Sequence, residues 1–333
     1  MSYTNWAFKV FFDGSFFGHS GRDHAGKEVS VGKWFTWAGT EWFVPAVYVC
    51  GKGFVVDFCM RVDRGRLQAF LDKWKPGGEE EAGWYSRERQ MEIDRDNPLC
   101  LDFAPRLIVN GKEFHSAHGC GTAYNPCLPE ENGDDAKMVM EHYALDTAYG
   151  WMVWRYSFPK KTRRRPEPET VSVTLEARPV PVPGPHFHVA APGDTFQFAF
   201  PENGTDYTLT VQEYERKDME TKWPGNGGWE YPTQYHVMTY TVSPEFPGEL
   251  TVTDCMESDR PKEKRPKKYN PVAAAAVAII GGADGPTAIL FGGEGQGKPR
   301  IACSALHFEP VEEVEWRMVF HETNFDDITV RLI

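Results

Sequence analysis

The side chains best suited to hold a metal ion fall in one short run, His115-Ser116-Ala117-His118-Gly119-Cys120, with Cys127 following. Imidazole nitrogen and thiolate sulfur are donors that zinc prefers, and a glycine-bearing loop can fold them around one ion. The spacing matches no closed zinc signature and no second pair follows, so buried or hydrogen-bonded His and Cys is the competing reading. His186-Phe187-His188 offers another geometry. In an extended strand residues i and i+2 share a face, so both imidazoles point the same way, toward a metal or an anionic ligand, and a neighbouring strand could add a third donor. The flanking prolines equally allow a surface loop. Residues 292–298 fit the start of a phosphate-binding loop, but the position that must supply a Ser or Thr hydroxyl is Pro299, so a glycine turn between strands is the simpler reading. Trp223, Trp229 and Tyr231 flank a glycine-rich segment; such aromatics stack on a sugar or peptide, or fold back onto a core. No nucleophile elbow, His-Glu-x-x-His helix or dinucleotide fingerprint is present.

A second kind of chemistry is suggested by the apolar stretch at 271–293 and the Gly281-Gly282-Ala283-Asp284-Gly285-Pro286-Thr287 motif inside it. As soluble structure the stretch makes a strand, a tight Asp-Gly turn and a second strand, each short enough to bury. As a membrane span it carries an Asp, glycines and a Pro near its middle, which a spanning helix disfavours. Over about residues 277–291 it resembles the signature of the membrane β-subunit of sodium-ion-translocating decarboxylases, the oxaloacetate and glutaconyl-CoA type. The resemblance implies a broken intramembrane segment in which Asp284 is the ion-binding carboxylate and Thr287 a co-ligand for Na⁺.

The rest of the chain sets the frame. It has 333 residues, enough for two domains with real cores. Aromatic residues make up 14%, and with 31 Gly and 25 Pro they favour strands and turns over helix bundles. A formal net charge of −12 argues against nucleic acid and anionic lipid as partners, and a mean hydropathy of −0.50 argues against a bundle of membrane helices. No secretory leader is visible, and the odd count of 7 Cys fits reduced thiols, so a cytoplasmic location is expected.

Period-2 alternation predicts strands throughout: Phe8 to Phe12, Phe35 to Val49, Phe54 to Asp63, Gly150 to Phe158, Val171 to Leu175, Phe196 to Phe200, Tyr207 to Val211, Tyr235 to Val242, Glu249 to Val252, Val314 to Phe320 and Ile328 to Leu332. In Phe54 to Asp63 the apolar set faces one way and Val55, Asp57, Cys59, Arg61 and Asp63 the other, the pattern of a half-buried strand. Asn110-Gly111 is the strongest two-residue hairpin signal. Arg64 to Trp74 reads as a short helix stopped by Pro76-Gly77-Gly78, and Asp134 to Leu145 as another. A polar loop is expected from Glu79 onward.

The expected fold is therefore all-β with minor α, as two β-sandwich-like domains: 1–165 β-rich with one or two short helices, 166–185 a Pro-rich linker, and 186–333 a second sandwich that includes the 271–293 strand–turn–strand. The expected function is non-catalytic binding of a protein or small ligand, with no cofactor and no insertion into a membrane. The motif resemblance opens a sodium-binding alternative, and the His115, His118 and Cys120 region, or carboxylates in a cleft between the domains, opens a hydrolase or a metal-dependent enzyme as another.

Overall fold

Alternating apolar and polar residues bounded by Gly, Pro and Asn turns produce antiparallel sheets through both halves of the chain. The computed structural model describes residues 8–16, 19, 21–74, 86–161, 167–200, 203–219, 229–263 and 299–333. Contacts divide the chain into two compact units: Met1–Trp84, Ile93–Val180 and Thr323–Ile333 form the first, Tyr85–Glu92 and Pro181–Glu322 the second. The all-β expectation holds in both.

The first unit contains β1 (Lys27–Trp37), β2 (Thr40–Val49), β3 (Gly53–Val62), β4 (Phe103–Val109), β5 (Lys112–His115), β6 (His118–Tyr124), β7 (Gly150–Pro159) and β8 (Val171–Ala177). It also holds helices α1 (Arg64–Trp74) and α3 (Asp134–His142), while α2 (Arg87–Asp96) is divided between the units. One sheet runs β1-β2-β3-β7-β6. The other runs β18-β8-β4-β5, where β18 is the C-terminal strand Ile328–Arg331. Phe54, Val56, Phe58, Met60 and Val62 of β3 share a core with Phe103, Leu107, Val173 and Leu175 of the second sheet. Asn110 and Gly111 turn the β4–β5 hairpin with φ of 50° and 75°, the left-handed pair that a type I′ turn requires. Asn110 Oδ1 also accepts the backbone N–H groups of Glu169 and Thr170, which ties the turn to the start of β8.

β3 departs from the half-buried pattern. Val55, Asp57 and Cys59, expected on an open face, are as buried as the core set. A further layer covers them: Val139 and Met140 of α3, with Phe16, lie over Cys59, and Val10 over Val55. Residues 8–12, expected as a strand, take irregular backbone within this layer. The polar residue trapped there is fully paired. Arg155 Nε and Nη2 donate to Asp57 Oδ1 and Oδ2 at 2.8 and 2.7 Å, and Tyr143 Oη donates to Asp57 Oδ2 at 2.7 Å. Because that bond uses the only Tyr143 hydroxyl proton, Tyr48 is the donor in the 2.7 Å Tyr48–Tyr143 contact. Burial pushes both phenols far above their usual range, so they act as neutral groups. The rings of Phe16 and Phe8 lie 4.2 and 5.3 Å from the Arg155 guanidinium.

The second unit contains β9 (Val180–His188), β10 (Thr195–Ala199), β11 (Asp206–Asp218), β12 (Trp229–Glu230), β13 (Gln234–Ser243), β14 (Glu249–Asp254), β15 (Lys262–Glu263), β16 (Arg300–Cys303) and β17 (Glu315–Glu322). The sheets β10-β11-β13-β16 and β14-β17-β9 enclose Leu209, Val211, Met238, Tyr240, Leu250, Trp316, Met318 and Phe320. β12 and β15 pair separately.

Three further expectations change. The stretch 166–185 carries β8 and most of β9, so it is sheet and not a linker, although the units divide within it. β9 accommodates its prolines because it is an edge strand and Pro181, Pro183 and Pro185 remove donors along one side only. β18, expected in the C-terminal sandwich, pairs with β8 of the first unit, Val330 opposite Val173. Helix α2 forms where a polar loop is expected; Ser86 caps it by accepting the Arg89 N–H, and it buries no residue, so no apolar stripe announced it. The 271–293 stretch lies outside the described residues. Among the described residues no helix is long and apolar enough to cross a membrane.

Removing Asp57 leaves a buried guanidinium without its anion. Asp57→Ala is expected to destabilise the first unit by about 3–5 kcal/mol in urea unfolding, with Asp57→Leu plus Arg155→Met restoring most of the loss. A loss under about 1 kcal/mol for the single variant would place the pair among weak surface-like bridges.

Candidate functional site

The alternation of β17 builds the site. Trp316, Met318 and Phe320 point into the core of the second unit, so Glu315 and Arg317 point to the opposite face of the β14-β17-β9 sheet. On the edge strand β9, Phe187 enters the same core, which turns His186 away from it. On the other side, Cys255 follows β14, and its N–H donates to the Glu315 carbonyl at 2.9 Å, setting the thiol beside Glu315. Three sequence-distant side chains thus meet. His186 Nδ1 lies 2.9 Å from Glu315 Oε1 and 3.9 Å from Cys255 Sγ, and the three donor atoms all lie within 4.8 Å of one another. Glu88 of α2 reaches the same place: its Oε2 is 3.3 Å from His186 Nε2 and 3.5 Å from Arg317 Nη1.

The charges around Cys255 are mixed, with Arg317 set against Glu315, Asp254 and Glu88. Burial pushes the Cys255 thiol up to about 11; nearby Arg317 opposes this, while Glu315, Asp254 and Glu88 add to it. The hydrogen bond from His186 holds Glu315 below the usual carboxylate range. Arg317 has a side-chain exposure of only 2%, yet its Nε and Nη2 find no hydrogen-bond partner among the described residues.

Two chemistries could use a Cys beside a His. Nucleophilic catalysis needs a thiol that ionises near neutrality and an imidazole free to take its proton. Here the thiol is raised and the facing Nδ1 is engaged by Glu315, so the arrangement does not suit a nucleophile. Metal binding needs sulfur, nitrogen and oxygen donors at tetrahedral separations. Ideal zinc bond lengths imply about 3.3 Å between a nitrogen and an oxygen ligand and about 3.6 Å between nitrogen and sulfur. The observed 2.9 and 3.9 Å need shifts of a few tenths of an ångström, and the third pair, Cys255 Sγ and the Glu315 carboxylate, lies within 4.8 Å against about 3.6 Å for tetrahedral sulfur and oxygen ligands. His186 and Glu315 are partly exposed, so the donors are accessible from solvent.

His186 is legible in the sequence as a strand residue to which a neighbouring strand could add a donor; Cys255 and Glu315 carry no local signal. His188 is exposed and stands outside the group. His115 and His118 are not brought together as expected of a shared ion: they lie in different sheets, His115 Nε2 pairs with Glu113 Oε1 at 3.2 Å, and Cys127 Sγ points to the Arg64 carbonyl at 3.8 Å. Cys120 sits on β6, half-buried against the layer that covers Cys59. Trp229 is half-buried on β12 and Tyr231 is exposed. Trp223, Asp284, Thr287 and residues 292–298 lie outside the described residues. A small cavity of about 120 Å³ in the first unit is lined by Phe12, Asp23, His24, Cys50 and Lys52, and it falls short of the roughly 300 Å³ of a typical ligand pocket.

A raised thiol is a slow nucleophile. Peptide-resolved alkylation of Cys255 is expected to accelerate about tenfold per pH unit from pH 7 to 9 without a plateau, as the thiolate fraction grows; a plateau within that range would show an activated thiol instead. Comparison with family models, curated proteins and solved structures finds no match to this chain.

Proposed function

We propose that this is a non-catalytic binding protein whose second sandwich takes up a divalent metal ion of the zinc class at His186, Cys255 and Glu315. The observation that carries the reading is the convergence of the three donor atoms within 4.8 Å from three separate places in the sequence. A soft sulfur, an imidazole and a carboxylate form a donor set matched to zinc rather than to calcium or magnesium, which take oxygen ligands. Three protein donors leave a fourth position for water or for a donor from a small ligand or partner protein. All seven cysteines are free thiols, which supports a reducing, cytoplasmic setting in which Cys255 stays available.

The chelator-treated chain is expected to bind one Zn²⁺, and Co²⁺ in its place to show a thiolate-to-metal charge-transfer band. Cys255→Ser should abolish that band, and His186→Ala and Glu315→Gln should each weaken binding by more than the roughly 10–100-fold that outer partners cost. Absence of the band in the Co²⁺-loaded wild type would refute the site. The Gly281–Thr287 motif supports a second reading, sodium held by Asp284 and Thr287. On that reading Na⁺ raises the melting temperature relative to K⁺, Asp284→Asn removes the rise, and equal melting in the two salts dismisses it.

A further inference from the structure

We infer that Glu88 and Arg317 are positioning residues of this metal site: Glu88 selects the His186 tautomer that offers Nδ1 to the ion, and Arg317 holds Glu88 in place. The inference rests on the metal-binding reading and assigns the groups outside its donor set.

Glu315 and Cys255 both face one ring nitrogen, Nδ1, so an ion placed between them must take its imidazole donor from that atom. A neutral imidazole carries one proton, and a nitrogen bound to a metal cannot keep it. The proton therefore has to reside on Nε2, and the group beside Nε2 is Glu88 Oε2 at 3.3 Å. A carboxylate there favours the Nε2–H form and fixes the ring's orientation, as outer carboxylates do for metal-bound histidines. In the ion-free arrangement Nδ1 is hydrogen-bonded to Glu315. Entry of the ion breaks that contact; a proton on Nδ1 exchanges through water to Nε2 or to solvent, and the Cys255 thiol releases its proton to solvent.

What holds Glu88 is equally specific. Helix α2 buries no residue, so packing of its own helix does not fix the carboxylate. Among the described residues its ion pairs are with His186 and with Arg317, whose Nη1 approaches the same oxygen at 3.5 Å. Arg317 stands two residues beyond Glu315 on β17, which puts both on one face of the strand. With the ion in place the charges cancel locally: the dication against Glu315 and the Cys255 thiolate, Arg317 against Glu88. Without Arg317, Glu88 would be a third anion free to swing toward the metal.

The test compares full-length wild type, Glu88→Gln and Arg317→Met, each loaded with Zn²⁺ or Co²⁺. Glu88→Gln is expected to weaken Zn²⁺ binding by about 10–100-fold while leaving the Co²⁺ spectrum unchanged in shape. Long-range ¹H–¹⁵N spectra of the zinc-loaded wild type should show His186 metal-bound at Nδ1 and protonated at Nε2. Arg317→Met should change the Co²⁺ spectrum as Glu88 becomes free to ligate. Unchanged Zn²⁺ affinity in Glu88→Gln, an altered Co²⁺ spectrum in that variant, or ligation through Nε2 would overturn the inference and leave the metal site standing. Absence of Zn²⁺ binding by the wild type would remove both.

Discussion

A guanidinium does not give up its proton at any pH a folded protein meets, so burying one obliges the chain to bring an anion to it. Each sandwich buries an arginine on the face of a sheet that points away from its core, and the two solutions differ. In the first unit Arg155 meets Asp57 through two parallel hydrogen bonds, and Tyr143 supplies a further donor to the same carboxylate. Every group there is committed, which marks the network as part of the scaffold. In the second unit Arg317 meets its carboxylate through one long contact and leaves two nitrogens without a partner among the described residues. A buried polar group left half satisfied calls for an explanation, and such groups gather where a site has work beyond holding the fold.

Legibility in the sequence followed the range of the forces involved. β3, β7, β13 and β17, helix α1 and the Asn110-Gly111 turn are set by neighbours in the chain: alternation, a helical stripe, a left-handed backbone pair. These could be read directly. The burial of Val55 and Asp57 could not, because it depends on a layer from residues 8–16 and α3 that no local pattern ties to β3. The pairing of β18 with β8 is also non-local, and a strand's own residues say nothing about which sheet receives it. Helix α2 stayed hidden for a different reason: its charged residues present no apolar stripe.

The site shows the same division. His186 was visible as a strand residue able to ligate, since its partner Phe187 announces which way each side chain turns. Cys255, Glu315 and Glu88 join it only through sheet order, with β17 between β14 and β9. Two of the donors stand on paired strands and the third immediately follows one, so the backbone holds them without help from a bound group, an arrangement suited to selectivity. The dense local run at His115 to Cys127 drew attention by composition, yet the boundary between two sheets passes through it.

The pairing of β18 with β8 makes the second sandwich an insertion: apart from residues 85–92, it lies wholly between two adjacent strands of the first. During synthesis β8 leaves the ribosome long before β18 does. The first sandwich must therefore wait, with one flank of β8 unpaired, until the inserted unit has been made. An unpaired flank of that kind is a template for wrong partners. The order of translation thus places a premium on rapid, independent folding of the inserted sandwich.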